Sequence, residues 1–183
     1  AAQHRSNVMC PRTNLLRVSG LTKYTLFDGA KMYAAAADAV NDRMPNSLHV
    51  LSHLLCTSIE LALKSYLVHI GYSENQLRRI GHDLPKLLQA VVDEGLEYTG
   101  SRNFVLTISG ALYKHRIFAY PENANMTIIL PGRLRQMTDE LLNDVHKRIF
   151  TKEEQEVLCA KGLIIDSSYP EEIDSSEWHN EVT

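Results

Sequence analysis

Glu60 and Lys64 stand four residues apart in Ser58-Ile59-Glu60-Leu61-Ala62-Leu63-Lys64-Ser65-Tyr66-Leu67. At about 100° per residue of helix they share one stripe, and His49 and His53 fall within about 20° of it, on the side away from Leu51, Leu55 and Ile59. One polar ridge of a carboxylate, an amine and two imidazoles results. Its plainest chemistry is a Glu-to-Lys pair on a solvated face, worth about 0.2–0.5 kcal/mol. The His49/His53 step also has metal-ligand spacing, but no His-Glu-x-x-His signature or cysteine cluster accompanies it, so no metal is expected. A second group follows in Gly81-His82-Asp83-Leu84-Pro85-Lys86. Gly81 reads as a helix stop and Asp83 as the cap of the next helix, which leaves His82 without a structural explanation. A third is Lys114-His115-Arg116, where Arg116 suits a bundle-end pair with a carboxylate such as Glu60.

Common nucleotide and hydrolase templates are absent from the chain. It has no Gly-rich phosphate loop of the Walker or dinucleotide type and no Gly-x-Ser-x-Gly elbow, and Cys56 has no partner that sequence can name. The three cysteines, Cys10, Cys56 and Cys159, are odd in number and scattered, which speaks against a disulfide scaffold or zinc knuckle and fits a reducing cytoplasm. The sequence opens Ala1-Ala2-Gln3 without a Met and shows no charged leader followed by an apolar h-region, so a start signal is missing from it. Apolar runs such as Thr127-Ile128-Ile129-Leu130 fall far short of the roughly 18 residues a membrane span needs.

The elements that must position these groups are helical. At 183 residues and 44% apolar content, one packed domain is expected. The Ala-rich stretch from Leu26 to about Val40 reads as a first helix with small faces for close packing. Ser47 to Ile70 reads as a long central helix with Leu48, Leu51, Leu55, Ile59, Ala62 and Tyr66 as its buried stripe and Gly71 as its stop. Ser73-x-x-Gln76 is a capping-box pattern, Asp83 opens a helix that runs to Gly95, and Arg102–Tyr113 and Leu134–Ile149 complete the series. The expected fold is all-α, an antiparallel four- to five-helix bundle with a C-terminal acidic extension.

Glu60-x-x-x-Lys64-x-x-Leu67 followed by Gly81-His82-Asp83-Leu84 resembles the core signature of the HEPN superfamily of small helical-bundle proteins. The resemblance covers roughly residues 26–150. It implies an all-α bundle, commonly a dimer, with a recurrent link to RNA. Many members are metal-independent ribonucleases of defence, toxin-antitoxin or RNA-processing systems, and others bind nucleotides or act as inactive partners. The nuclease members carry an Arg, a polar neighbour, and a His four to six residues further on. Here Arg116 matches, Ile117 replaces the polar neighbour, and Pro121, Glu122 and Asn123 stand where the His belongs. Asn does not exchange a proton near neutral pH, so the motif is degenerate.

The expectation is therefore a HEPN-like bundle that binds RNA or a nucleotide without ribonuclease activity and without a cofactor, through Glu60, Lys64, His82, Arg116 and Tyr120, the last as a stacking platform. The alternatives are a metal-independent endoribonuclease using Arg116 with a displaced His115 or His146, and a dimeric interaction module that engages a partner protein and no nucleic acid. Homodimerisation is expected through the apolar 115–132 connection, with Ile117, Phe118 and Ile128–Leu130.

The chain divides into an arm (1–25), the bundle (26–150) and a short helix with an acidic tail (151–183). Residues 1–150 hold 17 Lys and Arg against 13 Asp and Glu, and residues 151–183 hold 2 against 9, so a net −3 conceals a split of +4 and −7. Thr151-x-x-Glu154 is a second capping box, and the tail beyond is either solvated or a strap over a basic groove.

Overall fold

A computed structural model describes residues 22–97, 100–118 and 129–154. Within them the chain is all-α, and no strand occurs among the described residues. Six helices follow in order: α1 Lys23–Arg43, α2 Leu48–His69, α3 Glu74–Ile80, α4 Leu84–Asp93, α5 Gly100–Lys114 and α6 Pro131–Ile149.

α2 packs against each of the other five and is the central helix, as its unbroken apolar stripe predicts. Leu51, Leu55, Ile59, Leu63 and Leu67 lie on it wholly buried, against Leu84, Leu87, Leu106, Leu134, Leu142 and Ile149. α1 runs antiparallel to α2, since Ser58 Oγ donates to the Ala30 carbonyl at 2.7 Å and Ser65 Oγ donates to that of Lys23 at 2.7 Å. Such side-chain contact with a neighbouring backbone needs close axes, which the buried Ala30, Ala34 and Ala37 permit.

Caps form at Ser73 and Asp83, where the sequence places them; α1 has one not expected from the sequence, and Ser47 makes no side-chain cap bond at the start of α2. Thr22 and Thr25 box the start of α1, Ser73 and Gln76 box α3, and Asp83 Oδ1 accepts from the Lys86 amide at 3.3 Å to open α4. α6 begins at Pro131, three residues before the expected start, because proline at the first helical position costs no hydrogen bond. Gly110 brings α5 against α4 so closely that a Cβ there would stand 2.7 Å from Pro85 Cδ.

One wholly buried charge was not foreseen. Arg135 of α6, 2% exposed, donates from Nε to Asp38 Oδ1 at 2.7 Å and from Nη2 to Asp38 Oδ2 at 2.9 Å, and also bonds Asp139. The bidentate geometry ties α6 to α1 across the core.

At one end of the bundle Lys23 Nζ donates to the Ile149 carbonyl at 2.8 Å and to Glu154 Oε1 at 3.1 Å, with Tyr24 Oη donating to the same oxygen at 2.9 Å. Thr151 and Glu154 form a further capping box, as their spacing predicts. The remainder of the expected terminal helix, the acidic tail and most of the arm lie outside the described residues.

Candidate functional site

The site grows from the second half of α2. Leu55, Ile59 and Leu63 face the core, and the same helix turns Thr57, Glu60 and Lys64 toward α4, α5 and the turn that joins α3 to α4. The polar ridge is thus not the solvated face its composition suggests. Glu60 is buried, its side chain only 6% exposed, and its carboxylate receives Lys64 Nζ and His82 Nδ1, the latter at 2.9 Å. A carboxylate accepts and does not donate, so the hydrogen of His82 sits on Nδ1 and Nε2 is turned outward. The His82 side chain is 60% exposed.

Gly81 makes this geometry available. It closes α3 at φ 69° and ψ −128°, a backbone state that side chains with a Cβ rarely adopt, and it turns the chain so that His82 reaches back across α2 while Asp83 starts α4. Tyr113 of α5 completes the wall. Its ring meets His82 edge-on at 6.1 Å and His53 at 5.6 Å, and its hydroxyl lies 3.2 Å from Thr57 Oγ1. Burial, reinforced by the nearby Glu60 charge, pushes the Tyr113 phenol well above its ordinary range, so it stays protonated. Burial also lowers His53, with Glu60 acting in the opposite sense.

Lys114 extends the site to the α5 terminus by donating to Asp83 Oδ2 at 2.7 Å. Burial works against the Asp83 charge, yet the Lys114 hydrogen bond and the Lys86 amide hold its carboxyl below the usual range. His115 and Arg116 follow directly and are exposed. Arg116 has φ 56°, its amide donates to the Tyr113 carbonyl at 2.9 Å, and the Ile117 amide donates to that of Leu112 at 2.9 Å. This is a Schellman ending with arginine where glycine is customary.

The structure therefore brings Glu60, Lys64 and His82 into direct contact and sets Lys114, His115 and Arg116 at the adjoining corner. The expected Arg116–Glu60 pair does not form, because Lys64 and His82 occupy the carboxylate and Arg116 faces solvent without an ion-pair partner among the described residues. His146 belongs to a different part of the molecule. It lies on α6 between Phe27 and Phe150, with ring centroids 5.6 and 5.0 Å away, where burial and then Lys31 lower its pKa. Tyr120 lies outside the described residues. Tyr113 and Thr57 were missed by sequence reasoning, although Thr57 stands one helical turn before Glu60 on the same ridge.

His49 and His53, the pair with metal-ligand spacing, each have a buried Nδ1 without a hydrogen-bond partner, and among the described residues no group of three metal-ligating side chains gathers around them. Comparison with family models, with curated proteins and with solved structures gives no match. No helix among the described residues is long and apolar enough to cross a membrane.

Proposed function

We propose that this chain is a HEPN-like helical bundle whose polar corner binds RNA or a nucleotide and does not cleave it. The observation that carries the reading is His82, oriented from behind by a buried carboxylate and exposed next to Asp83, on which Lys86 and Lys114 converge. Cations at such a corner suit phosphate, and an exposed imidazole with a fixed ring plane suits a base edge or face. Cleavage through the ribose 2′-hydroxyl calls for paired proton transfers, and Pro121, Glu122 and Asn123 stand where the family's histidine would.

One observation favours a second reading as a metal-independent ribonuclease: Lys114, at the end of α5, is bonded to Asp83 next to His82, and the exposed His115 and Arg116 follow it directly. Anisotropy with labelled single-stranded RNA, competed by a nucleoside triphosphate in EDTA, tests the first reading. Binding should weaken in Arg116→Ala, with a salt slope shallower by about 1. Failure to bind either probe would favour a partner-protein module instead. RNA incubated in EDTA should be cleaved no faster by the wild type than by Arg116→Ala. Cleavage lost in both Arg116→Ala and His115→Ala would replace the binding reading with the nuclease.

A further inference from the structure

α1 has a second face, opposite the one it packs on α2. At about 100° per residue, Asp28, Met32, Ala35, Ala36, Ala39 and Arg43 fall within a sector of about 100°, diametrically across from the buried Ala30, Ala34 and Ala37. Met32 is 66% exposed, and the three alanines and Arg43 are exposed too. A helix of a single bundle ordinarily turns charge to water along such a stripe. Here the charges stand only at its two ends.

The order of residues is self-complementary. About the midpoint between Ala35 and Ala36, Met32 mirrors Ala39 and Asp28 mirrors Arg43. A two-fold axis through that midpoint lays an antiparallel copy of α1 against the first, with each methionine over the hollow at an alanine and each aspartate against an arginine. Alanines at the crossing let the axes approach to about 8 Å. Asp28 and Arg43 have no ion-pair partner among the described residues. Fifteen residues of helix put them about 22 Å apart within one chain, beyond any contact with each other.

We infer that this outer face of α1 is the contact surface for a second copy of the chain, with Asp28 set against Arg43 of the partner subunit at both ends. The surface differs from the 115–132 connection to which the sequence points, and it stands independently of what the polar corner binds. A single helix pair falls below the roughly 1,200 Å² of a standard stable interface, in the size class of weak, transient contacts.

Sedimentation velocity on the full chain without nucleic acid, from about 1 to 200 μM, tests this. The wild type should pass from monomer to dimer over that range. Ala36→Glu, at an exposed helical position, should keep its circular dichroism and remain monomeric. Asp28→Arg should weaken association at least about tenfold, and the double variant Asp28→Arg/Arg43→Asp should regain it, since only contact between copies lets one reversal compensate the other. A wild type monomeric throughout, a dimer that survives Ala36→Glu, or a double variant as weak as the single would each overturn the inference. Because RNA is absent from every arm, failure here leaves the binding assay to be judged separately.

Discussion

Glu60 is the residue on which the candidate site depends. Removing it leaves Lys64, whose side chain is only 14% exposed, without its counter-charge, and frees His82 from the carboxylate that holds its ring. Glu60→Ala should therefore cost about 3 kcal/mol in urea denaturation, and Glu60→Leu/Lys64→Met should lose less than Glu60→Ala because no unpaired charge remains. An additive double variant would show that the two do not act as a pair. Arg116 makes the converse case. In its left-handed conformation a side chain is strained, so Arg116→Gly should raise stability by about 0.5–1 kcal/mol while weakening RNA binding. Helical spacing put Glu60 and Lys64 on one ridge, and His82 joined them as a candidate through the resemblance of Gly81-His82-Asp83-Leu84 to the HEPN signature. Neither could show that His82 would reach Glu60 rather than solvent, since that contact spans 22 residues and depends on how Gly81 turns the chain.

Among the elements, the helices were legible to within a few residues from their apolar periods, with side-chain caps marking the starts of α3 and α4. The central role of α2 followed from the same stripe. What sequence left hidden are contacts that exist only once helices are side by side. Arg135 and Asp139 stand four apart and are readable as a local pair, but Asp38 comes from 97 residues away, and it converts a surface-type pair into a buried clamp. The closeness of α4 and α5 is equally invisible in one dimension. Gly110→Ala would drive a methyl into the rigid Pro85 ring, so it should destabilise the fold by about 1–3 kcal/mol. It should also loosen the corner, since the same two helices carry Asp83, Tyr113 and Lys114. Thermal unfolding and RNA affinity should then fall together, and a change in neither would mean that the helices separate without cost.

For the molecule as a whole, acid should be destabilising well before the carboxylates titrate. His53, His69 and His146 are all lowered from 6.5, in each case first by burial. The unfolded chain thus takes up protons below about pH 6.5 that the folded chain resists, so stability is full above that value and falls as pH drops through it. The urea midpoint should be lower at pH 5 than at pH 7.5, and the drop should shrink in His146→Phe, which keeps the aromatic contacts with Phe27 and Phe150. A midpoint highest at pH 5 would contradict the three environments described. Glu154 acts in a separate window: held down to about 2 by the Thr151 amide, Tyr24 and Lys23, its contribution is present above about 4.5 and disappears as pH falls toward 2.

Lys23 also bears on how the chain is made. Its ammonium stands on the first turn of the first helix, yet the carbonyl and carboxylate it binds lie 126 and 131 residues later. On a ribosome α1 and α2 can pair early as a helical hairpin, but this knot between the two ends of the bundle waits until residue 154 has left the exit tunnel. This contact is thus among the last of the described ones to close, and until it does the nascent bundle lacks its clasp. A stalled chain whose residues have emerged only to about 148 should remain sensitive to protease near Lys23, and emergence of residues 149–154 should remove that sensitivity.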